Sequence, residues 1–210
     1  MYLYGVFGAV IMLVAVVSFS RTGHIANRDS QGSAVICFGD SLTSGYEAAP
    51  KESYPHVLSG LLDWPVINAG VNGDTTQAAL QRLSRDVLEK DPLLVVVILG
   101  GNDFLHKSSA AQTFENIRAI VRAIKQQGAM VALGQIGPLL MYRYNKEYKK
   151  IAAEEDAILI PDILGGIFAN PKLMRDEVHP NAAGNVLIAQ KVHKAIEKHL
   201  RLNQKLRREL

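Results

Sequence analysis

Five short apolar runs, each followed by a segment of helical period, set the strongest limit on what this chain can become. Ala34-Val35-Ile36-Cys37-Phe38, Pro65-Val66-Ile67-Asn68, Leu93 to Leu99, Ala129 to Leu133 and Ala157 to Ile160 are short and bounded by turn residues, so they read as strands. Helical patterns lie near Tyr54 to Leu62, Thr75 to Lys90, Ala110 to Gln127, Tyr142 to Glu155 and Ala182 to Leu202. In the third of these, Ile117, Ile120, Val121 and Ile124 share a face, while Arg118, Arg122 and Lys125 point elsewhere. Strands that are apolar along their whole length are buried on both sides. Joined by helices, they predict an α/β fold, a three-layer α/β/α sandwich around a five-stranded parallel sheet.

The 210 residues, 48% hydrophobic, are enough for one sizeable core, and no compositional break divides them. The first twenty are a different material. Tyr2 to Phe19 is apolar without a charge and, at ~1.5 Å per residue, spans roughly 27 Å as a helix, close to the thickness of a bilayer core. A buried core helix is one reading; an uncleaved anchor or an export signal is preferred. No basic residue precedes the run, Ser18 and Ser20 offer small residues for cleavage, and Arg21 favours a cytoplasmic C-terminal side, so the topology stays open. The expected organisation is a hydrophobic segment over 1–20, a polar linker over 21–33, a folded domain over 34–202 and a basic tail over 203–210. The basic stretch Lys191 to Arg208 reads as a solvated face, with contact to anionic lipid beside the anchor as the sharper alternative.

A net charge of +3 gives no indication of a nucleic-acid groove. A single cysteine, Cys37, excludes an intramolecular disulfide framework and a cysteine-rich zinc site. Neither GxxxxGK[ST] nor GxGxxG occurs, which removes the usual markers of nucleoside phosphate binding. No cofactor or metal is expected.

In a parallel α/β sheet, ligands bind outside the carboxyl ends of the strands. Those positions hold Gly39-Asp40-Ser41, Asn68 to Thr75 and Gly100-Gly101-Asn102-Asp103, with Asp176 to Asn181 before the last helix. Ser41, where a helix begins, is an N-cap or a nucleophile; the helix dipole suits both. Asp176 and His179, three residues apart, are a surface pair or an oriented base, the carboxylate taking Nδ1–H and leaving Nε2 for a serine. Asn181 is placed to cap the helix that follows. Gly73 and Asn102 are turn formers or donors to an oxyanion, the first by its backbone N–H and the second by its side chain. Asp40 and Asp103 read as loop-holding residues. The remaining histidines, His24, His56, His106, His193 and His199, read as surface or helix residues.

"GDSLTSGY", "NAGVNGDT", "GGND" and "DEVHPNAAG", in this order and at these separations, resemble the four blocks of the SGNH (GDSL) hydrolases. The likeness is to the bacterial thioesterase I, lysophospholipase and arylesterase branch and covers Ala34 to His199. It implies the flavodoxin-like fold of that family, with Ser41 as nucleophile, His179 as general base and acid, and Asp176 as its orienting partner. It implies an oxyanion hole of the Ser41 N–H, the Gly73 N–H and the Asn102 side chain. It also implies an acyl pocket near Ile136, Leu139, Leu140 and Met141, although core packing accounts for those residues equally. Thr43 stands where G-x-S-x-G has its second glycine, which argues against an α/β-hydrolase elbow. The expected activity is hydrolysis of small-molecule acyl esters or thioesters by a monomer that is exported to the periplasm or the outer face of a membrane. The alternatives are a carbohydrate O-acetylesterase and a binding module without turnover.

Overall fold

The computed structural model describes residues 24–137 and 142–209. Five strands, β1 (Ala34–Gly39), β2 (Val66–Gly70), β3 (Pro92–Ile98), β4 (Met130–Gly134) and β5 (Ile158–Ile160), form one sheet in the order β2-β1-β3-β4-β5. Every neighbouring pair is parallel. The burial pattern follows position in the sheet. Every residue of β1, β3 and β4 is buried, as two-sided coverage demands, whereas the edge strand β2 is half-buried and β5 is three residues long.

Seven helices are described: α1 (Ser41–Ser44), α2 (Tyr54–Ser59), α3 (Thr76–Asp86), α4 (Gly101–Leu105), α5 (Ala110–Gln126), α6 (Tyr142–Glu154) and α7 (Ala182–Arg208). Because parallel crossovers are right-handed, the step from β1 to β2 and the opposite steps through β3, β4 and β5 place their helices on different faces. The contacts agree: α2 packs on α7, while α3 packs on α5 and α5 on α6. On α5, Phe114, Ile117, Ile120, Val121 and Ile124 are buried, the stripe expected from their spacing. The sheet reverses its strand order between β1 and β3, so Ser41 after β1 and Asn102 after β3 emerge side by side.

Three boundaries differ from expectation. The helix expected to run from Thr75 to Lys90 ends at Asp86 and continues as a 3₁₀ turn over Leu88–Lys90. The last helix does not stop near Leu202 but runs to Arg208, so 203–208 is part of the domain and not a tail. Its Asn203 is buried and donates to the carbonyls of Arg28 and Ser30, both at 2.9 Å. Arg207 donates to the Ser30 and Gly32 carbonyls and lies 5.1 Å over the Trp64 ring. Residues 24–33 therefore lie against the domain and not away from it as a linker; Asn27 also donates to the carbonyls of Lys125 and Ala129. Polar residues that suggested solvation instead satisfy backbone carbonyls. Lys191 is similarly engaged, with Asp162, Ile163 and Gly165 carbonyls as acceptors, so the basic row is not simply a solvated or lipid-facing surface. Among the described residues no helix is long and apolar enough to cross a membrane; the hydrophobic segment 1–20 lies outside them.

Candidate active site

Strand β1 ends at Gly39, and the chain turns directly into α1. Asp40 caps that helix, its Oδ1 accepting the Leu42 N–H at 3.0 Å, so the cap is the residue before the serine. Ser41 opens the first turn with its hydroxyl exposed to a cleft. Helix α1 reaches its place because Gly70, at the end of β2, has no side chain: a Cβ there would lie 2.1 Å from the Ser44 N.

Asp176 and His179 arrive together on one loop before α7. Asp176 Oδ1 accepts the backbone N–H groups of Val178 (2.8 Å) and His179 (2.7 Å), and its Oδ2 lies 2.8 Å from His179 Nδ1. Partial burial pushes the Asp176 carboxyl up, but these three donors outweigh it and hold it below the ordinary carboxylate value. A carboxylate at that position requires the proton on Nδ1, which leaves Nε2 as an acceptor; it lies 3.0 Å from Ser41 Oγ. The loop is closed beneath by the Arg175 N–H donating to the His179 carbonyl and by a bridge between Met174 and Pro180. Asn181 caps α7 through the Gly184 N–H, as expected. Tyr46 stacks on the imidazole at 4.4 Å between ring centres.

The third side of the cleft comes from β2 and β3. Gly73 has φ +78°, the left-handed region that favours glycine, and a Cβ there would face open space. Its neighbours are tied on both sides: Asn72 meets the Ser44 hydroxyl, and the Asp74 carbonyl accepts one N–H of the Asn102 side chain at 2.9 Å. That bond orients Asn102 and leaves its second N–H free to donate. Asp103, buried, accepts from the Thr76 N–H (2.8 Å) and hydroxyl (2.6 Å), locking α4 to the start of α3. Asp40 is buried as well. Burial raises its carboxyl to about 7, with the nearby Asp74 and Asp103 adding to the shift and the Leu42 N–H opposing it. Among the described residues no group of three His, Cys, Asp or Glu side chains is placed to hold a metal ion.

A cavity of about 250 Å³ opens beside Ser41, Asn102 and His179. Ile136 lines it, where an acyl pocket was expected; Leu139, Leu140 and Met141 lie outside the described residues. The rest of its apolar wall, Phe104, Leu105, Leu164 and Phe168, went unread in the sequence. Phe104 and Leu105 follow GGND directly, and two large apolar residues on an exposed strand-end helix were the available signal. Leu164 and Phe168 carried none, since their loop shows no motif. Tyr46 and Ser44, inside the GDSLTSGY block, also went unread as parts of the site.

A serine, a histidine and an aspartate in hydrogen-bonding sequence, at the carboxyl ends of a five-stranded parallel α/β sheet, define a hydrolase class. The chain belongs to the GDSL-like Lipase/Acylhydrolase family, whose model matches residues 37–187, and it is a hydrolase acting on ester bonds. It is 32% identical over 181 residues to the thioesterase 1/protease 1/lysophospholipase L1 of Escherichia coli (strain K12), covering 81% of this chain and 86% of that protein. It is also 32% identical to an arylesterase of Vibrio mimicus, over 79% of this chain and 89% of that one. Among solved structures, the psychrotrophic esterase EstA from Pseudoalteromonas sp., inhibited by monoethylphosphonate, superposes with a TM-score of 0.72 at 28% identity. That match covers 80% of this chain and 99% of the other.

Proposed function

We propose that the protein is a serine esterase that hydrolyses acyl esters or thioesters through an acyl-enzyme on Ser41. The observation that carries this reading is the continuous relay from Ser41 Oγ to His179 Nε2 at 3.0 Å and from Nδ1 to Asp176 at 2.8 Å, opening on an apolar cavity. His179 takes the hydroxyl proton as Oγ attacks the acyl carbon, and Asp176 stabilises the imidazolium. The resulting oxyanion is met by the N–H groups of Ser41 and Gly73 and by the free N–H of Asn102. Collapse expels the alcohol or thiol, which takes its proton from His179. Water activated by the same imidazole then releases the acid and restores Ser41.

The cavity supports an acyl chain over a sugar. Its walls are Ile136, Leu164 and Phe168, and the apolar side chains at its mouth, Phe104 and Leu105, are 37% and 55% exposed. Relatives named as thioesterase, lysophospholipase and arylesterase support the same substrate range. A panel of p-nitrophenyl esters and acyl-CoA thioesters from acetyl to long chain tests it, with Ser41→Ala as control. The expected result is kcat/KM rising from acetyl to medium chains; a maximum at acetyl, with acetylated sugars turned over faster, favours the O-acetylesterase reading. Residues 1–20 fit an anchor or export signal that delivers the domain to the outer face of a membrane. N-terminal sequencing of protein from the membrane fraction distinguishes a retained segment from a cleaved one.

A further inference from the structure

The two backbone donors assigned to the oxyanion hole lie on different loops, Ser41 after β1 and Gly73 after β2, and one side chain spans both loops. Arg82, on the second turn of α3, is 10% exposed and points back toward the strand ends. Its Nη2 donates to the Gly39 carbonyl at 2.9 Å, two residues before Ser41. Its Nη1 donates to the Ala69 carbonyl at 2.9 Å and to Asp86 Oδ2 at 3.1 Å. Its Nε donates to Asp74 Oδ2 at 2.6 Å, one residue after Gly73. The Phe38 ring lies beneath the guanidinium, 4.5 Å from its centre.

A planar fork with five donors can hold these acceptors together; an ammonium cannot reproduce the directions or the stacking. The Gly39 carbonyl also accepts the Val71 N–H at 3.0 Å, so the guanidinium and the β2 loop converge on the atom where β1 turns into α1. The Asp74 carbonyl, in turn, orients Asn102. Each of the three oxyanion donors is thus within two residues of an Arg82 contact or bonded to a residue that makes one.

We infer that Arg82 is a positioning residue of this esterase: its guanidinium fixes the separation of the Ser41 and Gly73 N–H donors and, through Asp74, the aim of Asn102. This role rests on the oxyanion hole of the proposed function. It touches no reacting atom, so its loss acts on the transition state and leaves substrate binding largely intact.

The test is a double-mutant cycle of Arg82→Lys with Asn102→Ala, read as kcat and KM on a medium-chain p-nitrophenyl ester, with thermal stability recorded for each protein. Arg82→Lys is expected to lower kcat about 10- to 100-fold with KM within about twofold. In the Asn102→Ala background the same change is expected to cost less than about threefold, because a hole already broken has less geometry to lose. Asp86→Asn removes the charge from the one Arg82 contact that leads away from the site, the Asp86 carboxylate. It is expected to lower stability while leaving kcat within about twofold of wild type. If Arg82→Lys does not fold, Asp74→Asn carries the cycle, with a smaller kcat loss that also shrinks in the Asn102→Ala background. The inference is overturned if kcat is unchanged, if the losses multiply in full, or if Asp86→Asn lowers kcat as much as Arg82→Lys. Failure of the proposed function itself looks different: the wild-type protein then hydrolyses no ester.

Discussion

The two halves of the site are built in opposite ways. The proposed base is local: Asp176 and His179 are three residues apart, and Asp176 Oδ1 folds the turn that presents the imidazole to Oδ2. The proposed oxyanion hole is assembled from three strand ends, and its parts are joined by side chains distant in sequence: Ser44 to Asn72, Asn102 to Asp74, Asp103 to Thr76 and Arg82 to Gly39. A local unit carries its geometry wherever its loop goes. A distributed one depends on the sheet, which explains why buried charged and polar side chains gather under this end of the molecule.

Substitutions can break that comparison at either half, and their effects should fall in order. His179→Ala is expected to lower kcat by about 10⁴- to 10⁶-fold, since it removes the proton acceptor and the proton donor together. Asp176→Asn should cost about 10³- to 10⁴-fold by disturbing the tautomer, while its Oδ1 contacts to the Val178 and His179 N–H groups can persist. Asn102→Ala is expected to cost about 10²- to 10³-fold in kcat, the usual range for one oxyanion donor. Steady-state kinetics on a single ester checks all three. A loss for Asn102→Ala below tenfold would mean that the distributed half contributes little. Tyr46→Leu should lower kcat by less than about tenfold. The ring packs against the imidazole and helps hold its orientation.

The smallest effect on activity, and a distinct one on stability, is expected at Asp40. Its carboxyl titrates at about 7 in the folded protein, against an ordinary value of 3.8. Between those values the native state holds a proton that the unfolded chain has lost, so stability falls as pH rises through that window. Asp40→Asn keeps an acceptor for the Leu42 N–H and removes the titration, so its denaturation midpoint should exceed that of wild type at pH 8 and converge with it near pH 4. The gap at high pH is bounded at about 4 kcal/mol by the size of the shift. His199 has the opposite sign: burial, with Lys198 and Arg28 nearby, lowers it to about 4, so acidification from 6.5 favours unfolding.

The same division explains what was legible in the sequence. The sheet announced itself because β1, β3 and β4 are apolar at every position, and strand runs of that kind fit few architectures. Asp176 and His179 were legible because their relation is a spacing. Gly73 and Asn102 were found as turn residues next to strands, but nothing local tied them to each other. Arg82 was invisible for a physical reason: it sits on a helix where an arginine normally faces solvent, and only the fold brings the Gly39 and Ala69 carbonyls and the Asp74 carboxylate within its reach. The boundaries at 33 and 202 failed similarly. Asn203 and Arg207 read as a solvated tail until the fold brings Ser30 and Gly32 within reach.

The central claim, that Ser41 is the nucleophile which the two halves serve, is tested most directly by mass spectrometry of the folded protein after treatment with a fluorophosphonate. The account predicts a single covalent adduct on the peptide containing Ser41, abolished in Ser41→Ala and formed far more slowly in His179→Ala. An adduct that persists at full yield in Ser41→Ala, or wild-type protein that hydrolyses esters without forming one, would contradict it.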